Sequence, residues 1–277
     1  MKEFILITGG AGYIGSKVAS DLSKTYRIIV IDNLSTGYKF LIPKNSIFYK
    51  LDVNNRLLIE KIIKKFNVKT VLHFAGSLSV VESEKKPKKY IKNNVLGTKS
   101  LINACLNTEV QNFLFSSTCA VYKSKKGAVN ESSIKKPKSV YGKTKLDAEN
   151  LIIRLFKNKK ISYSILRYFN VVGSDLKNKI GCINKNEQLF KNLSNNISNN
   201  RFKINIYGNL YKTKDGTCIR DYIYLDDLSK IHVESLKYMI KNKKNLILNC
   251  GYGKGYSVLD IVKKYEVLIN KKLIIKF

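Results

Sequence analysis

Only 20 of the 277 side chains are acidic, and two are histidines. The five cysteines (Cys105, Cys119, Cys182, Cys218, Cys250) are scattered and form no C-x-x-C pair. So few and so dispersed, these groups offer no metal site and read as the reduced thiols of a cytosolic protein. The first apolar run, Phe4 to Thr8, is too short for a signal-peptide core. No later run approaches the ~18 residues of a spanning helix, which leaves no membrane partner to expect. The scarcity of acid sets 51 basic side chains against those 20, a net charge of +31. Of these, 45 are Lys and only 6 are Arg, whereas base and phosphate readout favours the Arg fork. With 28 Asn and 32 Ile spread along the same chain, the excess reads as drift toward A/T-rich codons. It implies no specific nucleic-acid partner, though a basic surface attracts anionic substrates.

What is present is an alternation. Phe4–Thr8, Arg27–Asp32, Ile47–Val53, Thr70–Ala75, Asn112–Ser116 and Ser162–Arg167 read as buried parallel strands, apolar and continuous. Between them Tyr13–Ser23, Asn55–Phe66, Tyr90–Leu106 and Ser139–Lys157 carry helical periodicity. The pattern predicts an α/β fold, a doubly wound parallel sheet with helices on both faces. After Phe169 it weakens through an Asn- and Lys-rich stretch. It resumes with a short strand at Ile204–Tyr207, a strand at Arg220–Tyr224, a helix near Leu225–Lys241, a strand at Leu246–Cys250 and a helix from Ser257. The expected division is a nucleotide-binding domain at 1–170 and a smaller substrate lobe at 171–277, with elements around 225–260 packing back on the first.

Gly9, Gly12 and Gly15 follow the first strand at G-x-x-G-x-x-G spacing and open the first helix. Glycines there let the backbone turn tightly against a pyrophosphate, which then lies at the positive end of the helix dipole. The second strand ends at Asp32, where a carboxylate accepts hydrogen bonds from ribose hydroxyls and repels a 2′-phosphate, favouring NAD over NADP. The same Asp32 could instead cap the turn that begins at Asn33.

A Tyr-x-x-x-Lys pair is expected about three times by chance with 17 Tyr and 45 Lys, and three occur: Tyr13/Lys17, Tyr122/Lys126 and Tyr141/Lys145. Only Tyr141/Lys145 opens a helical stretch, which puts both side chains on one face. It also follows the strand end Phe115-Ser116-Ser117-Thr118, at the carboxyl edge where open α/β sheets bind ligands. Lowering a Tyr pKa of ~10 by about three units takes roughly 4 kcal/mol. Lys145 and a cationic nicotinamide ring are the available sources.

Eight segments in order now carry a resemblance: Thr8 to Ser16, Asp32-Asn33-Leu34, His73-Phe74-Ala75-Gly76, Asn93 to Thr98, Phe115 to Thr118, Tyr141 to Lys145, Arg167-Tyr168-Phe169-Asn170 and Asp215 to Tyr222. From residue 4 to about 270 the chain resembles the extended short-chain dehydrogenase/reductases, and within them the nucleotide-sugar 4-epimerases of the UDP-glucose type. The resemblance implies a Rossmann-type fold, NAD as cofactor, a UDP-sugar as substrate and a homodimer. The dimer would form through a four-helix face from Tyr90–Leu106 and Ser139–Lys157. It implies that Gly9, Gly12, Tyr13, Ile14 and Gly15 contact the pyrophosphate. Asp32, Asn33, Leu34, Ser35, Thr36 and Gly37 would hold the adenosine, with Asp52 and Val53 along the adenine. Phe74, Ala75, Gly76 and Asn93 would border the ribose–nicotinamide half, with Phe169 near the ring. Tyr141 would be the base, Lys145 would hold the nicotinamide ribose, and Thr118 would bond the sugar's 4-oxygen. Asn170 and Arg220 would meet the UDP phosphates, with a purely structural role as the lesser alternative for each. The implied reaction removes hydride from C4, turns the 4-keto sugar over, and returns the hydride to the other face.

The chain also departs from that pattern. Related dehydratases carry an acidic pair after the Ser/Thr, where this chain has Cys119 and Ala120. Leu78 stands where some members have Lys, Tyr224 where His is usual, and Gly181–Leu193 matches poorly. Members commonly continue beyond the position of Phe277, so the resemblance implies a substrate lobe lacking its C-terminal end. The alternatives are therefore a 4-epimerase of UDP-N-acetylglucosamine or UDP-xylose, or a non-catalytic NAD-binding remnant.

Overall fold

The computed structural model describes residues 2–124, 127–177, 179–183 and 189–277. Lys126 of the Tyr122/Lys126 spacing, and 184–188 of the poorly matching stretch, lie outside them. The first part of the chain runs β1 (Phe4–Thr8), α1 (Tyr13–Leu22), β2 (Arg27–Asp32), β3 (Ile47–Lys50), α2 (Arg56–Lys65), β4 (Thr70–His73), α3 (Val80–Lys85) and α4 (Pro87–Tyr90). A π-helical turn (Ile91–Leu96) leads into α5 (Gly97–Leu106), β5 (Asn112–Thr118), α6 (Val140–Phe156) and β6 (Ser162–Tyr168). There follow β7 (Asn170–Val172), α7 (Leu189–Ser198), β8 (Lys203–Asn205), β9 (Ile219–Tyr224), α8 (Leu225–Asn242), β10 (Leu246–Cys250), β11 (Gly255–Ser257), α9 (Val258–Ile269) and β12 (Ile274–Lys276).

Seven parallel strands form the central sheet in the order β10-β6-β5-β4-β1-β2-β3. Side chains alternate across it. Leu6, Ile29, Ile31, Val71, Phe113 and Phe115 enter the core that includes residues of α2, α5 and α6. Ile5, Ile7, Ile28, Val30, Leu72 and Leu114 enter the one that includes residues of α1 and α8. Each fully buried Ile, Leu or Val contributes about 1.5–3 kcal/mol, and burial on both faces is why the strands read as unbroken apolar runs. Ions tie α8 to α1: Lys17 Nζ lies 2.8 Å from Asp21 and 2.5 Å from Asp226, and Ser229 Oγ donates to Asp21. The rest of the C-terminal half builds a three-stranded sheet, β11-β9-β7, and the pair β12-β8. Leu193, Ile204, Ile206, Ile261, Val262 and Leu273 form a separate apolar core there.

Three differences from the sequence pattern have physical causes. The stretch Tyr90–Leu106 is broken by the π-helical turn, within which Asn94 is buried among polar partners. Helix α3 escaped the periodicity because Val80 and Val81 are exposed and no apolar stripe marks it. Strand β5 continues to Thr118 because Ser116, Ser117 and Thr118 still pair with Leu166, Arg167 and Tyr168 of β6.

Both histidines are fully buried and their neighbours fix their tautomers. Thr98 Oγ1 donates to the Asn94 carbonyl, so it accepts from His73 Nε2–H (2.9 Å), and Thr8 Oγ1 donates to Nδ1 (2.7 Å). His232 donates from Nδ1 to the Leu228 carbonyl (2.8 Å) and accepts at Nε2 from the Tyr168 hydroxyl. Burial pushes His73 down to about 3, with help from the Lys145 charge, and pushes His232 down to about 4. Both values lie below the ordinary 6.5, so the unfolded chain binds more protons than the folded one between pH 6.5 and about 4. Stability is therefore complete above that window and falls as the pH is lowered through it. Each histidine should cost about 2 kcal/mol at pH 5, and His232→Asn, which can keep the bond to Leu228, should flatten the slope by that amount. Urea unfolding at pH 7 and pH 5 measures it.

Candidate active site

Strands β1, β2, β4, β5 and β6 end on one side of the sheet, and a cleft of about 930 Å³ opens there. Of the site residues expected from the sequence, all line it except Leu34 and Lys145. Its floor at one end is the turn from β1 to α1. A Cβ on Gly9 would lie 2.5 Å from Ala75 N, and one on Gly15 would lie 2.3 Å from the Gly9 carbonyl oxygen. Gly9 also has φ +72°, so no other residue fits at these two places without moving backbone. No side chain caps α1, and its first turn holds no acidic group. Free N–H groups at a positive dipole end suit a diphosphate.

Asp32 caps the turn and also lines the cleft. Its Oδ2 accepts from Ala11 N (3.0 Å) and its Oδ1 from Leu34 N (2.8 Å), which ties the glycine turn to the next loop. That turn puts Leu34 in the left-handed region at φ 59° and outside the cleft lining. Asp32 still faces the cleft, with lone pairs left for two ribose hydroxyls. Its burial raises its pKa, against the two backbone bonds. Asn33 Nδ2 donates to Asp52 Oδ2 (2.9 Å), while Asp52 Oδ1 accepts from Asn54 N and Nδ2. Burial would raise Asp52, but these bonds and the Lys92 charge outweigh it and hold the carboxyl below its usual range. The residues present thus fit NAD: a glycine turn for the diphosphate and a carboxylate placed for the ribose.

At the other end stands α6. Ser139 caps it, Tyr141 N donates to Ser83 Oγ (3.1 Å) and Val140 N to Glu84 Oε1 (2.8 Å). Gly142 lets the helix start press against the Cys119–Val121 turn, since a Cβ there would lie 2.5 Å from Ala120 O. Tyr141 thereby meets the Thr118 hydroxyl, a contact that favours the ionised phenol. One turn on, Lys145 is 2 % exposed and sits below the cleft surface. Its Nζ donates to the Ser116 carbonyl (2.6 Å) and lies 4.6 Å from the Phe115 ring centre. Burial pushes Tyr141 up to about 12, with Thr118 pulling the other way, and pushes Lys145 down to about 8 against the Glu149 charge. Protein groups alone therefore keep Tyr141 a neutral phenol and Lys145 a cation at pH 7.

Two latches went unnoticed in the sequence. Asn94 accepts from Ser77 N (2.7 Å) and donates to the Ser77 carbonyl and to Thr144 Oγ1 (both 3.1 Å), so the Gly76–Ser77 wall is tied to α6. Among the described residues its neighbour Asn93 reaches only Ser77 Oγ (2.9 Å). The adjacent Asn93-Asn94 pair was the available signal, and the π-helical turn decides which of the two faces inward. Glu149 and Arg167 are the second latch. On the substrate side, Phe74 stacks on His232 with ring centres 5.1 Å apart, and Phe169 N bonds the Cys250 carbonyl. Asn170 Nδ2 donates to the Asp221 carbonyl (2.9 Å), its one hydrogen bond from the side chain among the described residues. Arg220 has no carboxylate partner among the described residues. Tyr224 packs on Gly173, whose carbonyl accepts from Tyr13 OH (2.5 Å). Among the described residues no cluster could hold a metal ion, and no helix is long and apolar enough to cross a membrane.

Fold and site together define an enzyme of the NAD-binding α/β class, with a Tyr–Lys pair at the carboxyl edge of the sheet. The sequence profile of the NAD dependent epimerase/dehydratase family matches residues 5–251, and the chain belongs to that family. It is 37% identical over 262 residues to the UDP-glucose 4-epimerase of Lactobacillus helveticus, covering 94% of this chain and 79% of that one. To the enzyme of the same name from Azospirillum brasilense it is 35% identical over 272 residues, covering 97% and 78%. Among solved structures, UDP-glucose 4-epimerase from Brucella ovis in complex with NAD superposes with a TM-score of 0.93 at 35% identity, covering 99% of this chain and 85% of that one. The Bifidobacterium longum enzyme in complex with NAD+ and UDP gives 0.91 at 30% identity, with 99% and 85% covered.

The glycine turn makes a direct prediction. Gly15→Ala should fold but lose roughly tenfold or more of its co-purifying NAD, about 1.4 kcal/mol of binding for each decade. Cofactor released by acid and counted against protein measures the loss.

Proposed function

We propose that this enzyme is a UDP-hexose 4-epimerase, interconverting UDP-glucose and UDP-galactose with NAD held throughout the cycle. The observation that carries the reading is the Tyr141–Thr118 contact above Lys145, at a cleft where the next two positions are Cys119 and Ala120. Elimination of water from the sugar needs an added acid and base. Burial pushes the Cys119 thiol up to about 11, and Ala120 has no titratable group. The sequence relatives and the NAD-bound and UDP-bound neighbours support the same assignment.

In this reading Arg220 and Asn170 grip the diphosphate of the nucleotide sugar. Residues 171–277, apart from α8 and β10, make up the substrate lobe. Gly9, Gly12, Tyr13, Ile14 and Gly15 take the cofactor diphosphate, Asp32 its adenosine ribose, and Asp52 and Val53 flank the adenine. Phe74, Ala75, Gly76, Asn93 and Phe169 enclose the nicotinamide half. Bound NAD supplies the hydride acceptor at C4 and a unit of positive charge. Tyr141 takes the proton of the 4-hydroxyl, while Thr118 bridges the phenol and the sugar's 4-oxygen. Reaching phenolate near pH 7 from about 12 costs about 7 kcal/mol. Lys145 and the positive charge that bound NAD would bring both act in that direction. The 4-keto sugar turns about its phosphate linkage, which works because the anchor is the diphosphate and not the sugar ring. Return of the proton from Tyr141, and of the hydride that bound NAD would supply, to the opposite face would complete the inversion at C4.

The reading also takes a homodimer through the face formed by the Tyr90–Leu106 stretch and α6, where Ile91, Leu96 and Ile153 are exposed, and a cytosolic setting. The decisive test is a proton NMR time course with UDP-glucose and no added cofactor. Growth of the UDP-galactose anomeric signal to a steady mixture is expected. A flat trace from folded protein would overturn the UDP-glucose assignment, and the same experiment with UDP-N-acetylglucosamine or UDP-xylose separates the alternatives. Tyr141→Phe should lower the rate by about 10²–10⁴-fold while leaving NAD bound.

A further inference from the structure

Three consecutive residues of β5 engage three residues of α6 spaced one turn apart. Thr118 bonds Tyr141, the Ser116 carbonyl accepts from Lys145, and Ser117 Oγ donates to Glu149 Oε1 (2.5 Å). Tyr141, Lys145 and Glu149 fall at i, i+4 and i+8, along one stripe of the helix. The lowest contact is the most elaborate. Arg167 meets Glu149 through Nε (3.0 and 3.3 Å) and Nη2 (2.7 Å), with both side chains about 1 % exposed. Ser117 and Arg167 are register partners on β5 and β6, so two neighbouring strands grip the same carboxylate. Arg167 Nη1 donates to Tyr122 OH (2.7 Å), which donates to Asn249 Oδ1 (2.7 Å) beside β6 on β10. A buried pair of this kind is expensive in desolvation, and its best-attested use is to fix one register among several.

We propose that Glu149, clamped by Arg167 and Ser117, is a positioning residue that sets the rotation and height of α6 against β5, and so the placement of Tyr141 and Lys145. The proposal rests on the reading of Tyr141 as the base. Of the clamp, Ser117 reaches the cleft lining, while Glu149 and Arg167 lie beneath it. The Glu149 carboxylate charge also favours protonated Lys145.

The test uses the NAD-loaded protein and reads Tyr141 itself. Difference absorbance near 295 nm between each protein and its Tyr141→Phe counterpart isolates one phenolate among the 17 tyrosines across a pH titration. Steady-state epimerisation is followed alongside. In Glu149→Gln the loss of a nearby negative charge would, by itself, lower the Tyr141 midpoint. Loss of placement raises it. We expect a rise of about half a unit or more, with kcat down roughly tenfold to a hundredfold and KM changed less than about twofold. Ser117→Ala, which leaves the ion pair whole, should move both readouts the same way by less, and Ser117→Thr should restore them. An unchanged or lowered midpoint in Glu149→Gln overturns the proposal. If that variant does not fold, Ser117→Ala decides alone, and a midpoint equal to wild type overturns it. A wild-type protein showing no Tyr141 ionisation in the neutral range removes the base to be positioned and overturns it as well. Wild-type ionisation without turnover of UDP-glucose would remove only the substrate assignment, because the absorbance readout needs no turnover.

Discussion

The absence of room for a side chain where β1 ends governs this molecule. Backbone from three places converges there: the Gly9–Gly15 turn, the segment after β4, and the loop from Asn33 to Gly37. Gly37 presses on Ala11, where a Cβ would lie 3.0 Å from the backbone C and O, less tightly than Gly9 on Ala75 at 2.5 Å. Because these contacts are backbone to backbone, they are short and unyielding, and they bring the start of α1 to the edge of the cleft with its N–H groups uncovered. Asp32 completes the arrangement by bonding Ala11 and Leu34 at once. The carboxylate that faces the cleft is thus also the one that holds the turn.

The other end of the cleft is governed by electrostatics. Burial works on Tyr141 and Lys145 in opposite directions, making the phenol harder to ionise and the ammonium easier to neutralise. Left to desolvation, the pair would be inert. What keeps Lys145 charged is the polar underside of the site: the Ser116 carbonyl and the carboxylate of Glu149, itself held by Arg167. Protein groups alone thus leave a neutral phenol beside a charged lysine at neutral pH.

The parts legible in the sequence were those in which chemistry and spacing coincide locally. The glycine turn lies within seven residues, and Tyr141 and Lys145 within one helical turn beside a Gly that permits close approach. Buried parallel strands announced themselves by continuous Ile, Leu and Val. What was hidden is non-local or lacks a period. Glu149 and Arg167 are 18 residues apart on different elements, and nothing in either segment reveals that they meet. Asn94 could not be separated from Asn93 without knowing that the helix widens there. Helix α3 turns its valines outward and supplies Ser83 and Glu84 to the start of α6, a contribution visible only once the two are packed.

Strand β6 pairs with β5 on one side and with β10 on the other, and β10 begins 78 residues after β6 ends. Every residue of β6 is buried in the finished sheet. While the chain is being synthesised, a strand edge that ends fully buried must therefore wait for some eighty residues to leave the ribosome before its partner arrives. An open edge of this kind is a template for pairing with other chains. The Lys-rich composition, which has no visible part in the chemistry, gives the nascent chain a strong like-charge repulsion during that interval. The charge excess would then act on the chain's passage to the fold, and not on the fold itself.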